Sequence, residues 1–159
     1  MDMNKIMEDY YDVFEMYQEL RGQLLDVLSD EDLMYRPFPD TLTLGQLCHE
    51  IGQTEESYIE SFKSFEQNWD HESDPLVQPE SVAALRAWYA ALDEELKAAV
   101  SALSDEQINN GIIKRGFDVR PNIQLDIYKE ALLIFYGKAS IYLRALGKPL
   151  PERWPSWIG

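Results

Sequence analysis

Thr43-Leu44-Gly45-Gln46-Leu47-Cys48-His49-Glu50-Ile51-Gly52-Gln53-Thr54-Glu55-Glu56-Ser57-Tyr58 is the stretch on which the fold turns. Its apolar and semi-polar positions, Leu44, Leu47, Cys48, Ile51, Thr54 and Tyr58, continue into Phe62 and Phe65. The gaps are threes, fours and a single one, so these side chains share one stripe of an α-helix. Thr43 followed three residues later by Gln46 is a capping box. The threonine oxygen accepts from a free N–H of the first turn while the glutamine reaches back to the cap.

Working outward, the same period recurs three times. On the N-terminal side it runs through Ile6, Tyr10, Val13, Phe14, Tyr17, Leu20, Leu24, Val27 and Leu28. Gly22 lies inside it at a cost of about 1 kcal/mol relative to Ala, which suggests close packing there. Pro37 and Pro39 end this segment. On the C-terminal side, the segment from Asp70 to Pro79 has two prolines and no period, and reads as a loop. A third series follows: Val82, Leu85, Trp88, Tyr89, Leu92, Leu96, Val100 and Leu103. Ser104 to Pro121 is a long connection that alternates in places, so a short extended piece is expected. The fourth series is Tyr128, Ala131, Leu132, Phe135, Ala139, Tyr142 and Leu146, stopped by Gly147 and Pro149. Leu28-Ser29-Asp30-Glu31 recurs as Leu103-Ser104-Asp105-Glu106, which reads more simply as two acidic helix starts than as a duplication. The tail around Trp154 and Trp157 is too aromatic for a free end and should pack on the bundle or on a second subunit.

Four amphipathic helices bury their stripes against one another. The expected fold is therefore all-α, a four-helix bundle with a long connection before the fourth helix, over one domain spanning 1–159. At 159 residues and 45% hydrophobic content, such a chain has a sufficient core without disulfide or metal. The 14 basic and 29 acidic residues leave a charge of −15, which opposes binding to nucleic acid or to an anionic membrane surface. A single cysteine, no basic-then-apolar leader and no long apolar run point to a reducing, cytoplasmic setting.

Phosphate loops, dinucleotide fingerprints, Cys pairs, paired histidines and nucleophile elbows are all missing from the sequence. Against that blank, Thr43 to Gly52, with Glu55 and Tyr58 behind them, resemble the second helix of the DinB-like (damage-inducible) four-helix superfamily. Gly137-Lys138-Ala139-Ser140-Ile141-Tyr142-Leu143-Arg144-Ala145-Leu146-Gly147-Lys148-Pro149-Leu150-Pro151 resembles the end of its fourth helix. The resemblance spans nearly the whole chain. It implies kinship with metal-dependent enzymes that attach small thiols to electrophiles or isomerise substrates with a thiol's help. Their metal sits on one histidine of the second helix and an H-x-x-x-H pair on the fourth.

Carried over by register, the second-helix ligand falls on Glu50, with His49 as the alternative one position out of step. The fourth-helix pair falls on Ala131 and Phe135. Neither Ala131 nor Phe135 has a donor atom, and a catalytic zinc ordinarily keeps three protein ligands. No metal cofactor is therefore expected. The alternative is a divalent ion held by Glu50 with recruited carboxylates among Glu55, Glu56, Asp126 and Glu130. On a helical wheel Glu50 lies about 100° from the stripe centred on Ile51 and Phe62, while His49 points nearly opposite. His49 thus reads as a surface residue, and His71 as a solvated loop residue. Glu50 reads as half-buried, paired with Lys138 or with the hydroxyl of Tyr128 or Tyr142, or else as a general acid or base in a tyrosine-lined cleft. Cys48 reads as a small buried hydrophobe.

Two functions follow from the resemblance. One is a binding or interaction module with a degenerate metal site, acting as a homodimer and keeping a cleft for a possible small-molecule ligand near Glu50, Tyr128, Ala131, Phe135 and Lys138. The other is a metal-dependent thiol S-transferase-like enzyme using an altered site around Glu50.

Overall fold

The computed structural model describes residues 3–70 and 78–158. In chain order the helices are α1 (Lys5–Asp9), α2 (Tyr11–Asp26), α3 (Leu44–Ser64), α4 (Val82–Ser101), α5 (Asp105–Asn110), α6 (Pro121–Ala145) and α7 (Trp154–Ile158). A 3-10 turn, Asp32–Met34, precedes α3, and a small antiparallel pair, β1 (Ile113–Lys114) and β2 (Asp118–Val119), precedes α6. Helix α3 packs against both α4 and α6, and α2 packs against the same two. These four long helices make the bundle. No helix among the described residues is long and apolar enough to cross a membrane.

Local chemistry sets most element ends. The Thr43 hydroxyl accepts from Gln46 N at 3.1 Å and the Gln46 side chain accepts from Thr43 N at 2.9 Å, completing the expected capping box. A second box, Ser104 with Gln107, starts α5. The Ser29 segment likewise opens a helical turn, with Ser29 N donating to Asp32 at 2.8 Å. Both halves of the sequence echo are thus short helix starts. Helix α6 closes at Gly147, whose φ of +72° suits a residue without Cβ, and Lys148 N donates back to Leu143 O.

Several expectations need correcting. The first series is not one helix: the backbone breaks at Tyr10 (φ −141°), leaving α1 as a separate turn. Asn4 fixes that turn, because its amide donates to Val100 O and Leu103 O at the end of α4. Helix α6 begins at Pro121, well before Tyr128, because proline is favoured at the first helical position. The connection before it holds α5 and the β-pair. The pair is tied to the end of α3, since Lys114 N donates to Phe65 O and Gln67 N to Lys114 O. Gly22 packs against nothing: a Cβ there would meet open space. The close approaches are instead at Gly45, where a Cβ would run into the Pro79 carbonyl oxygen, and at Gly52, where it would strike the Trp88 ring. The tail packs on its own bundle. Trp154 is fully buried with its indole N–H on Leu20 O at 3.0 Å, and Trp157 stands edge-on to Tyr17.

Candidate functional site

Helices α3 and α6 run side by side and leave a shallow groove of about 150 Å³ between them. Leu47, Glu50, Ile51 and Thr54 line one wall, and Ala131, Ile134, Phe135 and Lys138 the other. Four of the residues singled out in the sequence, Glu50, Ala131, Phe135 and Lys138, are therefore brought together. Tyr128 is not among them. It is fully buried deeper in the bundle, its ring tilted against those of Phe14 and Tyr58.

The groove is lightly charged. Glu50 is not half-buried as expected but 55% exposed, and Lys138, equally exposed, approaches it at 4.0 Å. That separation gives a loose, solvent-screened pair worth at most about 1 kcal/mol. The Tyr142 hydroxyl goes elsewhere, donating to Leu42 O at 2.6 Å. Phe135 is only 3% exposed, so its ring occupies the interior side of the groove. His49 is partly buried against α4, its ring stacked on Trp88 at 5.0 Å, rather than turned to solvent. It faces away from the α3–α6 groove. His71 lies outside the described residues. Among the described residues no three His, Cys, Asp or Glu side chains cluster closely enough to hold a metal ion. The donor set Glu50, Ala131 and Phe135 does not fit a metal, because two of its members have no lone pair to offer. Cys48 is fully buried, and burial pushes its thiol up to about 12, so it carries no thiolate chemistry.

The most strongly charged interior feature went unread in the sequence. Arg21 on α2 meets Glu55 on α3 and Asp93 on α4, each at 2.5 Å. Gln18 donates to both carboxylates, and the Tyr89 ring lies 4.0 Å beneath the guanidinium. Burial works against the arginine's charge, but Glu55, Tyr128, Asp93 and Tyr89 together outweigh it and hold the guanidinium well above its ordinary value. Asp93 goes the other way. Burial, with Glu55 beside it and Arg21 opposing, raises its carboxyl to about 7. The signal was present: Glu55 sits between Ile51, Tyr58 and Phe62 on the apolar stripe, and Arg21 between Leu20 and Leu24. One acid and one base on two facing stripes are complementary, but only once the helices are known to be neighbours.

A larger hollow of about 420 Å³ lies between α1, α5 and the start of α6, lined in part by Tyr10, Arg120 and Asp126. Two of its lining groups engage each other, the Tyr10 hydroxyl donating to Asp126 at 2.7 Å, and Lys129 donates to the same carboxylate from outside the hollow. It shares no residue with the α3–α6 groove.

With the bundle and groove in place, comparison with known proteins gives the class. The family model described as the DinB superfamily matches residues 15–131. The chain belongs to the DinB superfamily. A DinB-like protein from Bacillus cereus ATCC 10987 has a similar structure, with a TM-score of 0.75, 19% identity, and 91% of this chain and 95% of that chain covered. The DinB-like protein YjoA from Bacillus subtilis is similar at a TM-score of 0.67 and 19% identity, over 87% of this chain and 92% of that one. At that identity the two structures speak for the fold alone. No curated protein matches the chain.

Proposed function

We propose that this chain is a DinB-superfamily binding or interaction module that works without metal chemistry, in a reducing cytoplasmic setting. The observation that carries the reading is the content of the α3–α6 groove. The positions that the resemblance assigns to metal ligands hold a solvent-exposed Glu50, a donorless Ala131 and a buried Phe135. Binding by such a surface rests on shape and on its apolar walls, with Glu50 and Lys138 as a polar rim.

The test is metal content. Untagged protein is dialysed against trace nickel, zinc and manganese and read by elemental mass spectrometry. The expected result is far less than one metal per chain. Near-stoichiometric metal overturns the reading and brings forward the thiol S-transferase-like alternative, which the solvent access of Glu50 favours. That alternative requires turnover of an electrophile with a small thiol, and loss of that turnover in Glu50→Ala.

A further inference from the structure

Three elements meet at one end of the bundle and do not fill the space between them. Helix α1 stands apart from α2 after the break at Tyr10, and the Asn4 amide ties it to the end of α4. The capping box of Ser104 and Gln107 fixes α5, which touches both α1 and α6. Between α1, α5 and the start of α6 lies the hollow of about 420 Å³, a volume within the range of small-molecule sites. Its walls are held by contacts within the chain, so the hollow is pre-formed.

The lining is of two kinds. Ile6 and Ile108, 4% and 6% exposed, supply an apolar floor, with the Tyr10 ring beside them. Charged groups make the rim. Asp126 is already satisfied, accepting from Tyr10 at 2.7 Å and from Lys129 at 3.0 Å. Burial works against its charge, but those bonds outweigh it and hold the carboxyl below its ordinary value. Lys5 and Arg120 differ: among the described residues their side chains make no ion pair and no hydrogen bond. Lys129 balances Asp126, and Asp9 is the one further acid of the lining, so the two free cations leave the hollow with a net positive charge. On a chain of charge −15 such a hollow selects for an anion.

We infer that this hollow binds a small organic acid, its carboxylate held by Arg120 and Lys5 and its aliphatic body lying on Ile6, Ile108 and the Tyr10 ring. A guanidinium offers a carboxylate two parallel N–H donors, and the lysine ammonium adds another. The apolar floor favours an acid with a hydrocarbon body over an inorganic anion. Asp9 at the rim repels a second negative charge, so the fitting ligand is a monoanion. The hollow is separate from the α3–α6 groove, and the inference goes beyond the role proposed for that groove.

The experiment is a titration of the full chain with hexanoate, followed by heteronuclear amide NMR. Saturable shifts are expected at Ile6, Tyr10, Ile108 and Asp126, and none at Glu50 or Lys138. Hexanol keeps the body and removes the charge, and is expected to bind about ten-fold more weakly. Arg120→Gln should weaken hexanoate by about the same factor, and Lys5→Gln several-fold. Asn109→Trp, at an exposed position of the lining, should block the hollow without disturbing the core. Arg144→Gln, an exposed cation at the other end of α6, should leave binding unchanged. Hexanoate that gives no saturable shifts, or shifts only the α3–α6 groove, overturns the inference. So does hexanol that binds as tightly as hexanoate, or binding indifferent to Arg120→Gln and Asn109→Trp. An equal loss in Arg144→Gln means diffuse attraction and overturns the site. None of these outcomes depends on metal content, so the metal-free reading of the groove stands or falls by its own test.

Discussion

Arg21 and Glu55 face each other across the centre of the bundle at 2.5 Å, with 1% and 0% of their side chains exposed. They come from α2 and α3, and Asp93 on α4 completes the set, so a single charged cluster joins three of the four long helices. Taking these charges out of water is expensive, and their attraction repays it only while every partner is present.

Removing one partner strands the other. Arg21→Met leaves Glu55 buried without its cation and should cost about 3–5 kcal/mol. For a chain of this size that is a fall in Tm of roughly 10 °C. Glu55→Leu should cost a similar amount. The double variant should lose clearly less than the sum, because no charge is then left fully buried. Calorimetry on the two single variants and the double variant measures this coupling. Additive losses would mean that the two side chains are held by packing and not by each other.

Asp93 sets a pH dependence of definite sign. Its carboxyl is raised to about 7 in the folded chain, by burial first and then by Glu55, against an ordinary value of 3.8. Between those values the folded state holds a proton that the unfolded state has lost. The associated stability is fully present below the unfolded value and is lost as pH rises towards 7. Urea midpoints should therefore fall between about pH 4 and pH 7 relative to those of Asp93→Asn, which lacks the titration. Asp32 and Asp126, whose carboxyls are lowered despite partial burial, act below this window and in the opposite direction. A wild-type profile parallel to that of Asp93→Asn would remove Asp93 from the titration.

The glycines separate into two kinds. A Cβ at Gly22 meets nothing, and its helical backbone accepts alanine. Gly22→Ala should therefore stabilise by roughly 0.5–1 kcal/mol. Gly45→Ala drives a methyl into the Pro79 carbonyl oxygen, a backbone atom that cannot swing aside. It should destabilise by about 1–3 kcal/mol. Denaturant midpoints of the two variants, moving in opposite directions, check both.

Legibility in the sequence followed the range of the interaction. Helices α3 and α4 were readable because apolar period and N-cap chemistry involve residues three or four apart. The Thr43–Gln46 box and the Gly147 stop were visible for the same reason. The break at Tyr10 was not, because it depends on Asn4 reaching the end of α4, nearly a hundred residues away. The groove was half legible. Register placed Glu50, Ala131, Phe135 and Lys138 together, but a helical wheel gives only an angle. The exposure of Glu50 and the removal of Tyr128 to the interior depend on how closely α3 and α6 approach.

By itself the sequence determined that this protein is an acidic bundle of amphipathic helices with no histidine pair on its last helix. Periodicity, caps and residue identity are local properties and need no neighbour. Only the tertiary structure decided which stripe meets which. That pairing put Arg21 and Glu55 in one buried cluster with the half-exposed Asp93 at its edge, and turned His49 onto Trp88. It also left the isoleucines of α6 facing outward, because a side chain's electrostatic and solvent surroundings come from helices distant in the chain.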